Sequence, residues 1–148
     1  KYNWEEIFLK KISSFEVNHL TLEKGIYISR IDGDIITYDI RFCKPYSDEI
    51  LNNEQLHTIE HLLATIFRNN LYFGRNIVYF GPMGCRTGCY LLMFDDLESK
   101  DVFDLIINLC DFIVNFKGDI PGAKPEECGN YSEQNLTMAQ FYIKKYQK

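Results

Sequence analysis

The stretch EQLHTIEHLLATIFRN, residues 54–69, decides how the sequence is expected to fold. Its apolar side chains recur at intervals of three and four residues, the spacing of one face of an α-helix. That face consists of Ile59, Leu62, Leu63 and Ile66. The opposite side carries His57, Glu60 and His61. The stretch therefore predicts a helix with one side in the core and a polar side available for chemistry.

The pair His57 and His61 is the sharpest chemical signal in the chain. Histidines at positions i and i+4 stand one helical turn apart, so both rings can bind one small cation. Glu60 falls on the same side, where its carboxylate could move protons on a metal-bound substrate. The plain alternative is a surface helix that happens to carry two histidines. The HxxEH spacing also matches the inverted motif of zinc peptidases, so it predicts the metal better than the reaction.

Hairpin spacing and separated helices predict the rest of the fold. The pair Asp32-Gly33 suits a tight β-turn, and alternation in the following strand divides its side chains between two faces. One face holds Ile36, Tyr38, Ile40 and Phe42, and the other holds Thr37, Asp39 and Arg41. The expected elements are the strands 26–31, 34–43, 76–80 and 89–94 and the helices 3–11, 54–69, 99–116 and 135–146. We predict an α+β fold, a single domain with helices packed on a mostly antiparallel β-sheet.

Composition narrows the classes of function. The 148 residues fit one compact domain, and a net charge of -5 with a pI near 5.2 argues against nucleic-acid binding. No apolar run is long enough to cross a membrane, and Trp4, Glu5 and Glu6 do not suit a secretory signal. Five cysteines without framework spacing indicate a reducing compartment. We therefore expect a cytoplasmic protein.

Two cysteines lie in glycine-rich surroundings. Cys85 sits in Gly81-Pro82-Met83-Gly84-Cys85-Arg86-Thr87-Gly88, where the glycines allow close approach to a ligand and turn N–H groups can favour a thiolate. A tight strand connection that holds an ordinary buried cysteine is the competing interpretation. Cys128, on a loop rich in glycine and proline, could supply a third metal ligand and leave a fourth position open. It could equally be an ordinary loop cysteine.

Five short motifs in order resemble the S-ribosylhomocysteine lyase (LuxS) family over about residues 14–146. They are Ser14-Phe15-Glu16-Val17-Asn18-His19, Tyr38-Asp39-Ile40-Arg41, His57 to His61, the glycine-rich segment around Cys85, and Cys128-Gly129. The resemblance implies a lyase domain over residues 13–148, and residues 1–12 would be an N-terminal extension. A peptidase using Glu60 to activate water, or a non-catalytic structural-zinc domain, are the rival interpretations.

The resemblance implies a homodimer with its active sites at the subunit interface. It also implies one Fe(II) per subunit, replaceable by Zn or Co and held by His57, His61 and Cys128. The expected reaction cleaves S-ribosylhomocysteine to homocysteine and 4,5-dihydroxy-2,3-pentanedione, the autoinducer-2 precursor, by carbonyl migration and β-elimination. Glu60 and Cys85 would be the acid–base pair.

The resemblance also implies a set of substrate-binding residues and marks some departures. The residues expected to bind substrate are Ser14, His19, Arg41 and Arg68. Without the resemblance, Ser14 would be interpreted as a turn residue and His19 as an ordinary loop histidine. Arg41 and Arg68 would be interpreted as surface arginines. Many family members carry aspartate at the position of Tyr79 and serine at that of Gly81, so recognition of the amino-acid end is expected to differ in detail. Cys89 replaces a usual aromatic residue and is expected to belong to the core, with a regulatory disulfide as the minor alternative.

Overall fold

A computed structural model describes residues 13–46, 50–94 and 99–147, without the side chains of residues 13, 14 and 99. The strands are β1 (Gly25–Asp32), β2 (Ile35–Arg41), β3 (Ile77–Pro82) and β4 (Gly88–Phe94). The helices are α1 (Ser13–Glu16), α2 (Asn53–Asn69), α3 (Ser99–Asn115) and α4 (Leu136–Tyr146), with a short 3-10 helix at Gly74–Asn76.

The strands form one antiparallel sheet in the order β1-β2-β4-β3. Alternation along β2 places Tyr38 and Ile40 on the face that meets the helices, where both are buried. Asp39 and Arg41 lie on the opposite face. The sheet therefore separates the polar side chains of β2 from the helical layer.

The helices cover one face of the sheet and complete the core. Helix α2 packs against β3 and against α3 and α4. Asn52 caps its start, accepting from the Gln55 N–H while the Gln55 side chain accepts from the Asn52 N–H. The fully buried Ile59, Leu62 and Leu63 occupy its inner side. The opposite side, with His57 and Glu60, is left at the edge of the core.

The predicted α+β fold is confirmed, with small shifts at the ends of elements. The hairpin turn centres on Gly33 and Asp34, one residue later than expected, because Asp32 pairs with Ile35. Gly33 takes a φ of 57°, which glycine adopts freely. The helix predicted at residues 3–11 lies outside the described residues. The division into an extension at 1–12 and a domain at 13–148 remains a prediction.

Within the described ranges, no helix is both long enough and apolar enough to cross a membrane.

Candidate active site

Three side chains from two parts of the chain converge at the polar side of α2. The ligand atoms of His57, His61 and Cys128 all lie within 4.8 Å of one another. The His57 Nε2 and Cys128 Sγ atoms are 3.4 Å apart. Two ligands on one tetrahedral zinc, at the usual Zn–N and Zn–S lengths, would be separated by about 3.5 Å. The donor set thus fits a divalent metal with three protein ligands.

Backbone carbonyls orient both histidines. His57 Nδ1 lies 2.7 Å from the Glu133 carbonyl, and His61 Nδ1 lies 2.7 Å from the Pro121 carbonyl. Because a carbonyl only accepts, each Nδ1 carries the hydrogen and each Nε2 presents a lone pair to the cluster. The Gln134 amide nitrogen is 3.2 Å from the His57 Nδ1, but a protonated ring nitrogen cannot accept from it.

Gly122 lets the loop approach His61. Its φ is 72°, and a Cβ there would lie 3.0 Å from the His61 Nδ1. Any other residue would push against the ring that the neighbouring Pro121 carbonyl holds. The sequence shows only that a glycine stands in this loop. The close approach of the loop to the His61 ring explains why glycine is needed at this position.

Thr58 lies between the two histidines in the sequence, and its side chain is fully buried. It connects the loop before α4 to α2. Its hydroxyl donates to the Gln134 side chain at 2.7 Å and accepts from the Asn135 N–H at 2.9 Å. Asn135 in turn caps α4 by accepting from the Met138 N–H. The Glu133 carbonyl that orients His57 belongs to this anchored segment.

Glu60 lines a cavity together with His57, one of the three candidate metal ligands. The cavity has a volume of about 260 Å³. It is lined by Asn53, Leu56, His57, Glu60, Pro82, Asn130 and Glu133. The Glu60 carboxylate is half-buried beside His57, where it could reach a molecule bound at the cluster.

Cys85 lies in a tight turn between β3 and β4. The Met83 carbonyl accepts from the Arg86 N–H at 3.0 Å, and the Met83 N–H donates to the Gly88 carbonyl at 2.9 Å. Arg86 holds a left-handed φ of 62°, a conformation that costs a non-glycine residue about 1 kcal/mol. The turn leaves Cys85 exposed. The competing interpretation of an ordinary buried cysteine is therefore wrong.

Gly88 ends this turn for a packing reason. A Cβ there would collide with the Ile40 carbonyl oxygen of the paired strand. Gly84 has open space around its Cβ direction, so only one of these two glycines is required by close backbone approach.

A buried network links Cys85 to β2. Arg41 donates through Nε and Nη2 to the Asp39 carboxylate, at 3.1 and 2.5 Å. Its Nη1 donates to the Thr87 Oγ1 at 2.6 Å and lies 3.7 Å from the Cys85 Sγ. Since the Arg41 side chain is only 3% exposed, the alternative of a surface arginine is wrong.

Burial and charge act against each other within this network. Burial raises the pKa of Asp39 above its ordinary value, although the hydrogen bonds and charge of Arg41 favour the carboxylate. Burial disfavours the charged form of Arg41, but the hydrogen bond and charge of Asp39 raise its pKa on balance. The pair is thus a fixed, desolvated ion pair next to a thiol.

His19 joins Cys85 in a second cavity of about 360 Å³. This cavity is lined by His19, Pro45, Tyr46, Ile50, Cys85 and Thr87. His19 Nδ1 donates to the Val17 carbonyl at 2.8 Å, which directs the ring. Among the described residues, this cavity and the one beside Glu60 have no lining residue in common. Within one chain the predicted site residues thus line two different cavities.

Comparison with known proteins gives the family. The sequence model of S-ribosylhomocysteinase (LuxS) matches residues 12–148. This chain belongs to the LuxS family. The S-ribosylhomocysteine lyase of Clostridium acetobutylicum is 48% identical over 142 residues, covering 93% of this chain and 90% of that protein. The enzymes of the same name from Finegoldia magna and Borreliella burgdorferi are 49% and 52% identical, with the same coverage.

Two of the residues expected to bind substrate are not among the described lining residues of either cavity. They are Ser14 and Arg68. Ser14 belongs to α1, but its side chain lies outside the described residues. Arg68 is exposed near the end of α2 and donates to the Val78 carbonyl at 2.8 Å. Val78 lies at an irregularity in β3, between Ile77 and Tyr79, where the ladder shifts register. A substrate role for either residue remains a prediction.

The departures from the usual LuxS pattern have structural counterparts. The half-exposed Tyr79 ring lies over Gly81, in the space that a Cβ at residue 81 would enter. Tyrosine at one position and glycine at the other therefore fit each other. Cys89 is fully buried in the core, as predicted, and burial raises the pKa of its thiol well above the ordinary value.

Four residues of the site were not predicted from the sequence, namely Asp39, Thr58, Thr87 and Gly122. Asp39 and Arg41 stand two residues apart on one strand face, a spacing that could have indicated the ion pair. Thr87 stands two residues after Cys85, and this spacing could likewise have indicated the contact between their side chains. Thr58 and Gly122 act through contacts with distant segments, for which the sequence offers no spacing signal.

Proposed function

We propose that this chain cleaves S-ribosylhomocysteine to homocysteine and 4,5-dihydroxy-2,3-pentanedione, as a carbon–sulfur lyase. Membership of the LuxS family over nearly the whole chain supports the reaction. The convergence of His57, His61 and Cys128 is the observation in the structure that carries it. We propose that these three residues hold one Fe(II) per subunit, for which Zn or Co can substitute.

The reaction needs several proton transfers at neighbouring carbons. Migration of the carbonyl from C1 to C3 removes protons from C2 and C3 and returns protons to C1 and C2. Elimination then removes the C4 proton and breaks the C5–S bond, leaving the electron pair on the homocysteine sulfur. The metal, when bound, polarises the substrate's carbonyl oxygens as a Lewis acid.

Glu60 and Cys85 are the proposed acid–base pair. The Glu60 carboxylate stands beside His57 in the cavity at the metal cluster, where it can take and return protons. The exposed Cys85 sulfur lies next to the Arg41 guanidinium, where it can exchange protons with a molecule bound in its cavity. His19 and Arg41 line or support the cavity at Cys85, and we propose that they contact the sugar.

We propose that the enzyme is a homodimer whose active sites combine residues of both subunits. Three observations support this proposal. Glu60 and Cys85 line separate cavities within one chain, and the sheet separates the Arg41 network from the helical layer. The sheet face away from the helices also exposes apolar side chains, including Tyr79 at 50% and Phe94 at 43%.

Complementation between inactive variants tests the function and the shared site together. Glu60→Gln and Cys85→Ala should each keep the metal and lose at least about 10²- to 10⁴-fold in homocysteine release, measured with a thiol reagent. Mixed after subunit exchange, they should recover about a quarter of the parental activity. Half of the dimers are then hybrids, and each hybrid has one complete site.

The matched control is a mixture of Glu60→Gln with the double variant, which cannot assemble a complete site across the interface. Failure of the unmodified enzyme to release thiol would reject the lyase activity itself. Hybrids that form, as shown by mass spectrometry, yet recover no activity would reject the shared site while leaving the lyase activity intact.

We further propose a cytoplasmic location. All five cysteines belong to the described part of the chain and none of them is in a disulfide. Free thiols and a proposed Fe(II) centre both suit a reducing compartment. Metal analysis after anaerobic purification from iron-replete cells should give about one iron per chain, and zinc alone under those conditions would reject the assignment of the metal.

A further inference from the structure

The Thr87 hydroxyl lies between the Arg41 guanidinium and the Cys85 sulfur. Arg41 Nη1 is 2.6 Å from the Thr87 Oγ1, and the Oγ1 is 3.1 Å from the Cys85 Sγ. The direct distance from Nη1 to Sγ is longer, 3.7 Å. The hydroxyl is therefore the shorter link between the buried cation and the exposed sulfur.

The chemistry of the partners sets the direction of these hydrogen bonds. A guanidinium has only donors, so the Thr87 oxygen must accept from Arg41. The hydroxyl hydrogen is then available for the sulfur, and an O–H donor to sulfur is strongest when the sulfur is a thiolate. We propose that Thr87 is a positioning residue that donates a hydrogen bond to the Cys85 thiolate and fixes its direction. The functional meaning of this contact rests on the proposed role of Cys85.

The surroundings of Thr87 hold its hydroxyl in place. The side chain is buried, and the backbone carbonyl accepts from the N–H groups of Phe42 and Cys43 at 2.9 and 3.2 Å. A β-branched side chain also has a stiff first torsion angle. On the far side, Asp39 holds Arg41 through two hydrogen bonds. The hydroxyl therefore needs little reordering when the sulfur ionises.

The test compares Thr87→Val with Thr87→Ser in the metal-loaded enzyme. Valine keeps the shape and removes the hydroxyl, whereas serine keeps the hydroxyl. The rate of Cys85 alkylation by iodoacetamide is measured against pH, with the modified peptide located by mass spectrometry and Cys85→Ala as the blank. In Thr87→Val the midpoint of this profile should move up by about one to two pH units, the effect of one hydrogen bond to a charged group. Thr87→Ser should stay close to the parent.

A Thr87→Val profile that coincides with that of the parent would overturn the inference, as would an equal shift in Thr87→Ser. If Thr87→Val fails to fold by circular dichroism, Thr87→Ala decides by the same criterion. Homocysteine release is followed in parallel. A shifted alkylation profile in Thr87→Val together with parental turnover in Cys85→Ala would support the contact and reject the catalytic role of Cys85, so the two proposals can fail separately.

Discussion

Replacement of Gly122 by alanine should weaken metal binding although Gly122 is not a ligand. The new Cβ would stand 3.0 Å from the His61 Nδ1 and 3.2 Å from its Cε1, closer than ordinary contacts. The ring cannot yield freely, because its Nδ1 donates to the adjacent Pro121 carbonyl at 2.7 Å. Either that hydrogen bond lengthens or the Nε2 turns away from the cluster.

Two effects determine how much stability and how much metal affinity Gly122→Ala should lose. A left-handed φ of 72° costs alanine about 1 to 2 kcal/mol of stability, with or without metal. Disturbing the partner that orients a ligating histidine typically costs about 10- to 100-fold in metal affinity. Zinc affinity is measured by competition with a chromophoric chelator, and the stability of the metal-free protein is measured by urea unfolding.

Gly33→Ala is the matched control. Gly33 also has a left-handed φ, 57°, but a Cβ there meets no atom within 4 Å. As metal-free proteins both variants should lose the cost of the left-handed φ, Gly122→Ala should lose more through its contact with the His61 ring, and only Gly122→Ala should lose zinc affinity. Equal zinc affinity in the two variants would refute the argument that the loop backbone positions His61.

Two further predictions follow from the buried polar groups. Thr58→Val should cost about 1 to 3 kcal/mol in urea unfolding, because the Gln134 side chain and the Asn135 N–H lose their buried partner. It should also lower zinc affinity, whereas Thr65→Val, which loses only a bond to a carbonyl of its own helix, should not. Burial raises the pKa of Cys110 from 9.0 to about 12, so the unfolded chain releases this proton first and stability falls as pH rises through that range. The slope should reach about 1.4 kcal/mol per pH unit and be shallower by that amount in Cys110→Ala, and equal slopes would contradict the assignment.

Periodicity made the main elements predictable from sequence. The three- and four-residue spacing of Ile59, Leu62 and Leu63 depends only on helix geometry, and all three side chains are buried. The same geometry brings the rings of His57 and His61 together, with centroids 4.4 Å apart. Patterns of this kind are local, so they can be recognised without knowing how the rest of the chain folds.

The position of Cys128 could not be derived in that way. Its loop contains no repeating pattern, and it reaches the histidines because carbonyls of the same region accept from both rings. The sequence left Cys128 as either a third ligand or an ordinary loop cysteine, the family resemblance favoured the ligand, and the convergence of the three donor atoms agrees with that choice. Long-range hydrogen bonds of this type join segments 60 or more residues apart, and no local spacing encodes them.

Alternation along β2 explains why one sequence motif cannot reveal the whole site. Because side chains on a strand alternate, the residues that put Tyr38 and Ile40 against the helices must put Asp39 and Arg41 on the other face. The Cys85 turn joins that second face through Thr87, whereas His57 and Glu60 project from a helix on the first. Strand alternation thus places the Arg41 network, which contacts Cys85, on the face of the sheet away from the helix that carries His57 and Glu60. This placement is the reason for the proposed homodimer, in which a second copy of the chain would supply the missing group, and the mixed Glu60→Gln and Cys85→Ala dimers would detect that arrangement.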